Sequence, residues 1–151
     1  MLLAEIMSSS RADMERELKT SVVPWLRGKG FTGSFPHLRR AGKSTIDLLT
    51  FQFDRHGGAY VIEIAQCPCE GIITHWGTII SARDARAWDV HPSRRKRICA
   101  ESTSGTEGWF RFDRQPPKQL VALTLEKLSE EALWTNDLCP VAQPDQLHLP
   151  R

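Results

Sequence analysis

The chain lacks any long apolar run. Nothing in its 151 residues approaches the ~20 consecutive apolar positions of a membrane-spanning helix, which excludes a helical membrane protein. It also lacks a dominant charge: 20 basic residues stand against 18 acidic ones, a net of +2. That balance predicts no nucleic-acid or membrane surface unless a local patch supplies it. Cysteine is scarce and irregularly spaced, at Cys67, Cys69, Cys99 and Cys139. The start, Met1 to Met7, has no basic segment, is interrupted by Glu5 and carries no small-residue cleavage signal, so it does not read as a secretion signal. Reduced thiols in a cytoplasm are the expectation. Internal repeats are missing too, and so is any catalytic constellation.

What is present is a hairpin pattern. Ile46 to Gln66 reads IDLLTFQFDRHGGAYVIEIAQ, two runs rich in β-branched and aromatic residues around a polar loop ending in two glycines. With Asp54 facing Ala59 across a four-residue loop, Leu49, Phe51 and Phe53 pair with Ile64, Ile62 and Tyr60 on one face. Leu48, Thr50 and Gln52 then oppose Ala65, Glu63 and Val61 on the other, which is mixed in polarity. A slip of one residue would set the apolar ladder against the polar one, so the pattern itself specifies the register.

The flanks supply helices. Ser10 with Asp13 forms a capping-box start, and Met14, Leu18, Val22 and Trp25 or Leu26 recur at helical spacing up to a stop at Gly28 or Gly30. Pro24 removes one hydrogen bond and is expected to bend the last turns. Pro116 and Pro117 open a second helix running to about Trp134, with Leu120, Leu123 and Leu128 on its stripe. Between them lie an extended Phe31 to Arg40, a possible fourth strand over Ile72 to Ile80, a mobile loop over Glu101 to Gly108, and a short edge strand at Trp109 to Phe112. The fold class is α+β: an antiparallel sheet of about four to five strands with two main helices packed on one face. Residues 1–9 are expected to be disordered, 10–136 to form a single domain, and 137–151, with three prolines, to be an irregular tail.

Four candidate sites stand in the sequence. Gly42-Lys43-Ser44-Thr45 looks like the end of a phosphate-binding loop, but the glycine required five positions earlier is His37, and a strand follows where a helix must. Cys67 and Cys69 enclose only Pro68, a poor zinc bite even with His75, His91 or Cys99 to hand. No metal and no cofactor is therefore expected. The segment Arg83 to Arg97 holds six basic residues against two acidic ones, and Arg83, Arg86, Arg94, Arg95 and Arg97 with Trp88 and Trp109 make a candidate binding patch. Guanidinium groups with stacking rings suit nucleic acid, but the near-neutral balance argues against that partner. Thr50, Gln52 and Glu63 form an alternative polar pocket, in which Glu63 would act as a base or pair with Arg39 or Arg40. The remaining signal is five tryptophans, residues suited to anchoring a protein partner.

A helix ending in Lys29-Gly30-Phe31, then Arg39 or Arg40, Phe51-Gln52-Phe53, the Gly57-Gly58 turn, the Cys-Pro element and Trp109-Phe110 together resemble the bacterial family called domain of unknown function 4304, over Leu18 to Asp113. The resemblance implies a small cytoplasmic α+β domain and carries no activity or catalytic residue with it. Small domains of this sort also occur as immunity proteins beside bacterial toxins, an analogy of genomic habit. The expectation is a non-enzymatic protein-binding domain, a toxin-neutralising role being one form of it. A small-molecule or hydrolytic enzyme on the hairpin's polar face and a nucleic-acid binder through Arg94 to Arg97 are the alternatives. Oligomeric state is left open.

Overall fold

Ser10 accepts a hydrogen bond from the Asp13 amide at 3.1 Å, while the Asp13 carboxylate takes the Ser10 amide in return. This reciprocal cap starts the first helix, α1, where the sequence places it. The helix runs through Arg11–Glu17, a π-helical segment Leu18–Val22, and Val23–Gly28. The widened turn closes on a bond from the Val23 amide to the Leu18 carbonyl and directly precedes Pro24, which has no N–H to donate. Gly30, at φ +99°, ends the helix.

The computed structural model describes residues 10–131 apart from 75 and 102–104. Expectations for residues 1–9, the 137–151 tail, His75, Trp134 and Cys139 lie outside the described residues. Among the described residues eight strands follow α1: β1 (Thr32–Ser34), β2 (His37–Ala41), β3 (Thr45–Phe53), β4 (Ala59–Pro68), β5 (Ile72–Ile73), β6 (Ile79–Ile80), β7 (Arg95–Ile98) and β8 (Phe110–Arg111). The second helix, α2, is Pro117–Ser129. The main sheet has six strands in the order β1-β2-β3-β4-β7, with β8 also on β4. The architecture is α+β, an antiparallel sheet with two helices.

The long hairpin forms as its pattern dictates. The Asp54 amide donates to the Ala59 carbonyl at 2.9 Å, which leaves a four-residue loop with both glycines at φ +88°. Gly58 is required by its φ, and a Cβ there would in addition press on the Asp113 side chain, 2.9 Å from its carboxylate oxygen.

The chain divides into two compact units, one from the chain up to Gly30 with Phe51–Ile62 and Ile98–Glu131, the other from Phe31–Thr50 and Glu63–Arg97. In the first, α1 and α2 pack together, burying Met14, Leu18, Val22 and Leu26 on one helix and Leu120, Val121, Thr124 and Leu128 on the other. A ring stack links Tyr60 to Phe110 at 4.9 Å, and Phe53 lies against both Tyr60 and Phe112. The fully buried Tyr60 hydroxyl meets the Thr124 hydroxyl at 2.7 Å. The expected mobile loop is in part fastened: Gly105–Gly108 is a 3-10 turn, and Glu107 pairs with Arg114 at 2.9 Å.

In the second unit the sequence expectations need three corrections. The single extended segment at Phe31 to Arg40 is two strands, β1 and β2, joined through a turn with a cis Phe35–Pro36 peptide. Ile72 to Ile80 is not a fourth strand of the main sheet but a hairpin of its own, β5 on β6. Its turn is held by the Thr74 amide on the Thr78 carbonyl at 2.8 Å and by Gly77 at φ +94°. The mixed face of the long hairpin is covered as well. Leu48, Ala65 and Cys67 form a second core with Ile72, Ala85, Ala87 and Val90. Segment 81–90 is poor in large apolar residues, and its share of the covering comes from Ala85, Ala87 and Val90, with Ala82 packed against them.

Candidate functional site

Register places the site residues of the second unit. β2 pairs with β3 so that His37 faces Thr50, Arg39 faces Leu48 and Arg40 faces Asp47. Arg40 therefore meets Asp47 at 2.8 Å, and Gln66 donates to the other Asp47 oxygen at 2.8 Å. Glu63 is thus not the partner of Arg39 or Arg40. Its carboxylate, only 4% exposed, accepts from Arg97 Nε at 2.6 Å and lies 3.8 Å from Arg95. Two groups that the sequence offers as rival sites are one ion pair. A carboxylate this buried and held by guanidinium groups ties β4 to β7.

The basic run is correspondingly committed. Arg95 also donates to the Trp88 carbonyl at 3.3 Å, and Arg94 is half-buried. Trp109 is not a stacking platform, because it is buried with Ala59 and Val61 in the first unit. Trp88 is 41% exposed and presents its ring edge-on to His37 at 4.7 Å. Gln52 is half-buried, and Thr50 is fully buried with its hydroxyl 2.9 Å from His37 Nδ1.

A cleft of about 520 Å³ opens beside that pair. His37, Thr50, Arg83 and Arg86 line it, and Gln52 and Glu63 do not. Arg39 builds one wall: its guanidinium donates to the carbonyls of Ala82 at 2.7 Å and Ala85 at 2.6 Å, fastening the loop that carries Arg83 and Arg86. Burial chiefly, and the Arg86 charge next, hold the His37 pKa below its ordinary value, while Asp89 pulls the other way. His37, Arg39 and the cleft itself escape sequence reasoning, since nothing local to positions 37 and 39 marks either side chain as facing residues 82–88.

The small hairpin supplies a different surface. Ile72 and Ile80 face each other and turn inward, so the next pair, Ile73 with Ile79, turns outward by the two-residue alternation of a strand. Ile73 is 37% exposed, Ile79 77% and Trp76, in the turn, 59%. The sequence expectation places Trp76, one of five tryptophans, with these isoleucines in a single strand, whereas it stands in the turn of a hairpin.

The other candidates resolve simply. Gly42, Lys43 and Ser44 are exposed in the turn between β2 and β3, with no helix after them. Cys67, Cys69 and Cys99 are free thiols, and among the described residues no group of three or more His, Cys, Asp or Glu side chains is placed to hold a metal. No helix among them is long and apolar enough to cross a membrane.

A family model described as Domain of unknown function (DUF4304) matches residues 11–137, from the first turn of α1 to beyond α2. The chain belongs to this family. No curated protein and no solved structure matches this DUF4304 chain. Its membership accords with the Lys29-Gly30-Phe31 helix end and the Gly57-Gly58 turn, both of which have structural causes here, and brings no catalytic residue with it.

Proposed function

We propose that this protein is a non-enzymatic protein-binding domain whose contact surface is the outward face of the β5–β6 hairpin. The observation that carries the proposal is the concentration of exposed apolar side chains: Ile73, Trp76 and Ile79 lie within seven residues of one hairpin, and the fourth large exposed apolar residue among those described, Trp88, is in the same unit. Ile73 and Ile79 are held outward by strand alternation and Trp76 by the turn, so folding leaves a large part of each in water. Each gains roughly 25 cal/mol per Å² when a partner removes it from water, and tryptophan is favoured at the centre of such contacts. Free thiols, one of them the exposed Cys69, suit a reducing bacterial cytoplasm as the setting. Neutralisation of a toxin is one form this role would take.

The test is a photo-crosslinking amino acid placed at position 79 in the native host, with one at the exposed position 118 of α2 as control. A discrete adduct from position 79 and none from 118 is expected. Absence of any adduct at 79, or the same adducts from both positions, would overturn the proposal.

A further inference from the structure

The cleft beside His37 has the size of a ligand site, about 520 Å³ against the roughly 300–1,000 Å³ usual for small molecules. Its lining divides by chemistry. Phe35, Pro36, Leu38 and Leu49 supply apolar walls, while Arg83 and Arg86 supply two exposed cations three residues apart. Among the described residues neither guanidinium is in an ion pair. The acids nearest in sequence are engaged otherwise: Asp84, which also lines the cleft, accepts from the Ser81 hydroxyl at 3.0 Å, and Asp89 accepts the Arg86 backbone amide at 2.9 Å.

The cations are displayed from a fixed support. Arg39 clamps the loop through the Ala82 and Ala85 carbonyls, and Ala85 and Ala87 are buried in the second core. Little ordering of the backbone is then left for a ligand to induce, which is the condition under which charge pairs and apolar contact convert into affinity. His37 is held in place by Thr50 and Trp88, and in its uncharged form it adds a ring nitrogen to the lining without adding charge.

We propose that this cleft binds a small organic anion with an apolar body, its phosphate or carboxylate meeting Arg83 and Arg86 and its body lying along Phe35 and Pro36. The guanidinium fork suits both kinds of oxyanion. Neither the protein-binding hairpin nor its partner is needed for this binding.

The test is calorimetric titration of the full chain at low salt with phenyl phosphate, phenylacetate, inorganic phosphate and benzyl alcohol. Phenyl phosphate or phenylacetate is expected to bind one to one, and which of them binds more tightly identifies the oxyanion. In the Arg83→Ala/Arg86→Ala double variant that affinity should fall at least tenfold, and in Lys43→Ala, which removes an exposed charge elsewhere, it should be unchanged. Inorganic phosphate and benzyl alcohol should each bind at least tenfold more weakly than the better aromatic anion. Both arginines are exposed, and a thermal melt of the double variant, with Arg86→Gln as the milder substitute, verifies that folding is retained. Failure of both aromatic anions to bind, equal binding by inorganic phosphate or benzyl alcohol, or equal loss in Lys43→Ala would each overturn the proposal.

Discussion

At the scale of single residues, His37 and Tyr60 show how burial changes what a polar side chain contributes. His37 has an ordinary pKa of 6.5 that burial and Arg86 lower in the folded protein. The unfolded chain therefore takes up a proton at a pH where the folded one does not. Its contribution is complete above 6.5, declines as the pH falls from there toward the folded value, and is level below that. Urea unfolding of wild type and His37→Gln across about pH 5 to 8 should show a shallower acid-side decline in the variant; equal slopes would contradict this assignment. Tyr60 behaves in the opposite sense, since burial pushes its phenol well above the usual range and it stays protonated. Tyr60→Phe strands the buried Thr124 hydroxyl and should cost about 1–3 kcal/mol in denaturant unfolding, whereas no loss would mean that Thr124 has another acceptor.

Elements carry the next level of cause. Gly71 stands at the root of the β5–β6 hairpin with φ +103°, where a Cβ would lie 2.5 Å from the Ile80 carbonyl oxygen. Both the backbone conformation and the contact forbid a side chain, so Gly71→Ala should destabilise the protein by about 1–3 kcal/mol. A neutral outcome in thermal unfolding would mean that the hairpin root is loose. The β4–β7 pair depends on Glu63 in a comparable way. Arg97→Ala leaves a 4%-exposed carboxylate with only the more distant Arg95, and should cost about 1–3 kcal/mol, reduced from a fully buried pair because Arg97 itself is half in water. In the Glu63→Gln background the same change should cost far less, and equal costs in both backgrounds would show that the two side chains are not coupled. These same contacts explain what was legible beforehand. The Ser10–Asp13 cap, the stripe of α1 and the hairpin about Gly57-Gly58 were readable because each is local, set by periodicity and by glycine. The Glu63–Arg97 pair spans 34 positions, and charge alone does not choose among several arginines. The covering of the Leu48 and Ala65 face is not legible because two of its agents, Ala85 and Ala87, are only weakly apolar and follow no strand or helix period. The candidate patch was half legible for the same reason: Arg83, Arg86 and Trp88 do lie by one cleft, but Arg95 and Arg97 point to Glu63 and Trp109 is in the core.

For the molecule as a whole, membership of the DUF4304 family fixes kinship without fixing chemistry, and the described surface offers two features that folding alone does not account for. One is the cationic cleft that Arg39 lines; the other is the apolar hairpin face, from which the proposed function follows. If Trp76 and Ile79 are there for a partner, removing them must leave the fold untouched. The decisive measurement is a paired one on Trp76→Ala/Ile79→Asp: its thermal midpoint, and its retention of the partner identified by crosslinking at position 79. The midpoint is expected to stay within about 2 °C of wild type, as for surface substitutions generally, while retention falls at least tenfold. A large drop in the midpoint would make the hairpin face part of the fold, and undiminished retention would place the contact elsewhere; either result would contradict the account.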